Sequence, residues 1–101
     1  MFSRVSFDLK NPIETVGNYS IHDYTGRGKH AKYVVVFHSI EDGNPTVEPI
    51  AMVREGKYDE AIFAMEKLKY SDEVWALALS ECGSGVNTKW DRTKAFRSWM
   101  F

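Results

Sequence analysis

A single cysteine, Cys82, is all the thiol this chain carries, so no intramolecular disulfide can form and a reducing compartment is the natural expectation. Three prolines and seven glycines in 101 residues are too few for a collagen-like or low-complexity chain. Long apolar runs are lacking as well. The longest, Val34 to Phe37 and Val74 to Leu79, fall far short of the ~20 residues a membrane helix needs. The segment Met1 to Lys10 alternates polar and apolar residues and holds no apolar signal core. Neither sign of charge dominates: 13 basic side chains stand against 14 acidic ones, so net charge selects no class of partner. These absences lead to the expectation of a soluble cytoplasmic protein with no membrane contact. The opening Met1 and the closing Trp99-Met100-Phe101 read as the ends of a complete short gene product.

What is present suits one packed domain spanning 1–101. Hydrophobic residues make up 44% and aromatics 14%, enough apolar surface for a core without metal or disulfide staples. Met1 to Leu9 alternates, with Val5, Phe7 and Leu9 on one side, and predicts a half-buried strand near a sheet edge. Asn11-Pro12 reads as a helix-start or turn signal, with Asn as cap and Pro in the first turn, and Gly17 ends it. Tyr19 to Tyr24 predicts a short strand. Lys32 to Ile40, rich in β-branched and aromatic residues, predicts one inside a sheet. Asp42-Gly43-Asn44-Pro45 is a hairpin turn, so Thr46 to Arg54 should return antiparallel, with Pro49 marking an edge or a bulge.

The period then changes from 2 to 3.6. Tyr58, Ala61, Ile62, Met65 and Leu68 share one helical face, with Asp59 and Glu60 in the first turn and Lys67 and Lys69 in the last. Val74 to Glu81 predicts a return to strand, apolar on both faces. Cys82 to Gly85 reads as a loop, and Asn87 or Thr88 as the cap of a final helix from Lys89 to Met100. The expected fold class is α+β: a four- to five-stranded, mainly antiparallel sheet with one or two helices packed on one face.

Charge is segregated along the chain. Residues 1–40 carry +2, residues 41–88 carry −6 and residues 89–101 carry +3. The basic turn Gly26-Arg27-Gly28-Lys29-His30, with Lys32, offers backbone N–H groups and cations to an anion, but it lacks the GxxxxGK[ST] spacing of a P-loop. Arg92, Lys94 and Arg97 on the last helix could join it against a nucleic acid. The same helix carries Trp90, Phe96 and Trp99 and leads to Phe101. Trp and Arg are the residues that anchor protein interfaces, and large apolar residues at a terminus need a cover. Phe63 lies beside the apolar face of the first helix, next to Asp59, Glu66 and Lys67, where it either widens the buried side, the favoured reading, or makes a small exposed patch. It joins Trp90, Phe96, Trp99 and Phe101 as a candidate partner-binding residue.

Catalytic patterns are missing. Cys82 has no CX5R pattern, since position 88 is Thr88, and no histidine lies downstream of it. His22, His30 and His38, each eight residues apart, match no metal-ligand spacing, and His38 reads as a hydrogen-bonded structural histidine. No metal, cofactor or enzymatic activity is expected. The expected function is a small non-catalytic protein-binding module, an adaptor or inhibitor of a larger protein, with self-association as a further option. The alternative is nucleic-acid binding through the basic turn and the last helix, against which the acidic middle and a pI of about 6.3 both count. In texture, short and rich in aromatics, the chain resembles the accessory proteins that bacteriophages encode against host machinery. That resemblance rests on no specific residues.

Overall fold

Strand-forming residues and tight turns build a four-stranded antiparallel meander in the order β1 Glu14–Val16, β2 Tyr19–Asp23, β3 Ala31–Glu41 and β4 Asn44–Arg54. The structure is a computed structural model and describes residues 7–26, 31–82 and 90–100. Two turns fix the register. Asp42 (φ 52°) and Gly43 (φ 80°) both sit in the left-handed region, the type I′ pattern whose twist matches paired strands. Gly17 (φ 59°) takes the first place of the two-residue β1–β2 turn. A Cβ there would lie 3.1 Å from the Lys69 stem, so glycine serves both the turn and the close approach.

Pro49 fulfils both of its expected roles. β4 is an edge strand, and Val35 pairs with Ala51 while Val36 pairs with Pro49, which leaves Ile50 as the extra residue of a bulge. Pro45, Pro49 and the exposed Glu48 together blunt this edge against pairing with another chain.

Two helices complete the domain: α1 Tyr58–Cys82 and α2 Arg92–Met100. One sheet face meets α1. Tyr19, Ile21, Val35, Ala51 and Val53 pack against Ala61, Ala64, Met65 and Leu68, and Phe96 of α2 joins the same cluster. Burial of each large aliphatic side chain contributes about 1.5–3 kcal/mol, so this layer supplies most of the driving force. On the opposite face Ser20, His22, Val34 and Val36 are also buried, and the Phe7 ring meets His22 edge-on at 5.4 Å. The architecture is α+β, with both helices on the sheet as expected.

Of the two readings of Asn11-Pro12 the turn stands: turn and bend residues lead into β1, because too few residues separate Pro12 from Gly17 to nucleate a helix and Thr15 and Val16 favour strand. Two expectations fail. Val74 to Glu81 is not a strand but the second half of α1, which runs 25 residues without a break. No glycine or proline lies between Gly56 and Gly83, and Ala76, Leu77 and Ala78 are good helix formers, so nothing stops propagation. Lys67 and Lys69 therefore sit mid-helix rather than in the last turn.

The last helix begins at Arg92 rather than Lys89. Asp91 caps it, accepting a bond from the Lys94 amide at 3.1 Å, while Asn87 and Thr88 lie outside the described residues. Of the first predicted strand, Phe7 forms a single bridge to Tyr24, and residues 1–6 lie outside the described ones.

Candidate protein-docking face

Because α1 is continuous, it has a long outer face. A helix turns roughly 100° per residue, so residues seven apart nearly eclipse one another. Phe63, Tyr70 and Leu77 therefore form one line opposite Ala61 and Leu68, and Val74 widens it. These four side chains are 56%, 69%, 60% and 48% exposed, in that order. The rim is largely acidic. Glu66 and Glu73 flank the line on one side, Asp59 and Glu81 stand beyond its ends, and all four are exposed. Among the described residues of α1, Lys67 brings the positive charge there, with its Nζ 4.8 Å from the centre of the Phe63 ring.

The inner side of the same helix is anchored by charge. The Tyr19 hydroxyl, buried under α1, donates to Asp72 Oδ2 and accepts from Arg92 Nε at 3.0 Å. Arg92 Nε also lies 3.1 Å from Asp72 Oδ1, near enough for an ion pair but off the N–H axis, so that oxygen is charge-balanced without being a directed acceptor. The guanidinium stacks over the Phe37 ring at 4.1 Å. Burial first, and then the bond to Asp72, push the Tyr19 hydroxyl well above its ordinary pKa, so it stays a donor. This knot ties β2, β3, α1 and α2 together and holds the second half of α1 on the sheet. Beside it, Trp75 of α1 stacks on Trp90 with ring centres 6.3 Å apart.

At the other end of α1, the Tyr58 hydroxyl donates to Glu14 at 2.8 Å. Burial, followed by that bond and the Glu14 charge, pushes its pKa up to about 12.

A second polar network lies on the opposite sheet face. Asp8 O can only accept, so His22 Nδ1 carries the hydrogen it shares with that carbonyl at 2.8 Å. A neutral His22 then accepts at Nε2 from Ser20 Oγ (2.6 Å), and Ser20 Oγ accepts from His38 Nε2 at 2.7 Å. His38 is thus hydrogen-bonded, as its sequence position suggested. Ser20 is 1% exposed, so its hydroxyl is a buried link of the relay rather than an open nucleophile. No group of three His, Cys, Asp or Glu side chains among the described residues is placed to hold a metal ion.

Desolvation, and then the neighbouring His22, lower the pKa of His38, while Val47 opposite it on β4 adds no charge. The unfolded chain, with an ordinary value of about 6.5, therefore binds this proton more readily than the folded one. Its contribution to stability is present above about pH 6.5 and is lost as pH falls through the lower folded value. Urea unfolding between pH 7.5 and 5 should show falling stability, and His38→Gln should flatten that slope. An unchanged slope in the variant would contradict the assignment.

The residues singled out from sequence separate clearly. Of the two readings of Phe63, the exposed patch holds and the widened buried side does not. The ring is exposed, because it points away from the sheet that Ala61 and Ala64 contact. Phe96 is 2% exposed and belongs to the core, and Trp90 is half-buried on Trp75. The side chains of Trp99 and Arg97 lie outside the described set, as do residues Arg27, Lys29 and Phe101. Lys32 pairs across 3.7 Å with Glu55, Lys94 is exposed, and Arg92 is engaged by Asp72, Tyr19 and Phe37. Of these basic residues, only Lys32, Arg92 and Lys94 have described side chains. Tyr70, Val74 and Leu77 went unnoticed in the sequence, since reading Val74 to Glu81 as a strand cut their line in two.

No helix among the described residues is long and apolar enough to cross a membrane. Comparison with protein-family models, curated proteins and solved structures finds no match.

Proposed function

We propose that this chain is a small non-catalytic protein-binding module that docks a larger protein on the outer face of α1, acting as an adaptor or inhibitor of it. The observation that carries the reading is the line Phe63, Tyr70, Val74 and Leu77, each at least 48% exposed and all on one side of one continuous helix. Single exposed apolar residues need no explanation, but a contiguous apolar line rimmed by polar groups marks an interaction surface. The tight inner packing of α1 supports this, because a docking face is more useful when its geometry is fixed before the partner arrives. The lone cysteine suits a reducing cytoplasm as the place of action.

The test is a pull-down from lysate of the source cells split into nuclease-treated and untreated halves, with wild type and the double variant Phe63→Ser/Leu77→Ser. Both positions are exposed, so the variant should unfold within about 0.5 kcal/mol per site of wild type. A protein retained stoichiometrically by wild type and lost by the variant is the expected result. Equal retention by both, or capture that vanishes on nuclease treatment, would oppose the reading. The second outcome would turn attention to Lys32 and Lys94.

A further inference from the structure

From the charges around the docking line, we infer that its occupant is a basic amphipathic helix of another protein. This rests on the proposal that the outer face of α1 is the docking surface. Six acidic and two basic side chains lie on α1. One of the six, Asp72, is turned inward to Arg92. One of the two bases, Lys67, is drawn over the Phe63 ring. The other base, Lys69, lies with its stem against Gly17, and Glu60 pairs with Lys57 at 3.7 Å. What faces outward around the line is therefore Asp59, Glu66, Glu73 and Glu81, all exposed. An apolar seam with charged flanks selects a partner by complementary flank charge, as the e and g positions of coiled coils do.

The same pattern argues against a second copy of this chain. In an antiparallel pair with its dyad at Tyr70, Phe63 meets Leu77 of the other copy, which is favourable. Glu66 then lies on the same side as Glu73 of the other copy, and Asp59 lies near its Glu81. In a parallel pair the flanks exchange sides, so Glu66 and Glu73 face the flank of the other copy that carries Lys67 and Glu60. Lys67 is the one cation against several acids there, so either arrangement brings two net-acidic faces together. Lysines and arginines flanking leucines on an incoming helix would instead neutralise all four acids. Phe63, Glu66, Lys67, Tyr70 and Ser71 line one shallow surface groove, and Lys67 can stay over Phe63 or swing out to solvent to admit an incoming side chain.

The probes are three helical peptides of about three heptads, each with leucine along one seam, flanked respectively by lysine, glutamate or glutamine. Fluorescence anisotropy against the full chain should give the lysine-flanked peptide about tenfold or greater preference, with affinity falling as salt rises. Phe63→Ser/Leu77→Ser should abolish that binding, which separates docking on the line from diffuse attraction to an acidic protein. The charge reversal Glu66→Lys/Glu73→Lys should move the preference to the glutamate-flanked peptide.

Equal binding of all three peptides, still lost in the Phe63/Leu77 variant, would overturn the basic partner and keep the docking face. Lysine-peptide binding that survives that variant would overturn the inference, and so would a wild-type chain that sediments as a dimer dissociated by it. Binding of none of the three would overturn the docking face itself.

Discussion

Phe96→Ala should cost about 3–4 kcal/mol of stability, enough to lower the melting temperature of a domain this size by about 15–25 °C. The ring is 2% exposed and is the only side chain of α2 among those described that is fully buried, so it is what seats this helix on the sheet. Truncation leaves a ring-sized cavity in the core cluster that Phe96 shares with Ile50 and Met65 and removes contacts that water cannot replace. The loss should appear in urea or thermal unfolding, with no change in peptide binding at temperatures where the variant stays folded. A variant that melts like wild type but loses its partner would instead make Phe96 an interface anchor and contradict its place in the core.

Ser71→Pro should be comparably severe, at about 3 kcal/mol or more. Position 71 lies in the interior of α1, where proline removes the amide that bonds back to Lys67 and presses its ring on that carbonyl. The damage would spread, since Asp72 is the next residue and holds Tyr19 and Arg92. Circular dichroism at 222 nm with thermal melting is the check. If residues 70–73 instead linked a helix to a strand, proline at 71 would be mild, and a near-native melt would refute the continuous helix.

That contrast also shows where sequence and structure part. Period-2 alternation and the Asp42-Gly43 turn make β2, β3 and β4 legible, and the 3.6 period after Gly56 marks the first half of α1. Val74 to Leu79 is apolar throughout, so periodicity cannot tell a buried strand from a helix there. The arbiters are the absence of glycine and proline up to Gly83 and a β-branched content limited to Val74, and both favour helix. Misreading that segment hid the docking line, because Phe63, Tyr70 and Leu77 align only when one helix carries all three.

The two polar networks had no local signature. Tyr19 stands 53 residues from Asp72 and 73 from Arg92, and packing alone brings them together. The even spacing of His22 and His38 looks meaningless along the chain. It becomes a contact once β2 and β3 pair antiparallel with Ser20 between the rings.

The most direct measurement places a photo-crosslinking amino acid at Tyr70, with Met52 on β4 as the control position, and maps adducts formed in lysate of the source cells by mass spectrometry. The account predicts one dominant adduct from position 70, absent from position 52, whose crosslinked segment is a lysine- or arginine-flanked amphipathic helix. No adduct from position 70, or the same adducts from both positions, would contradict it.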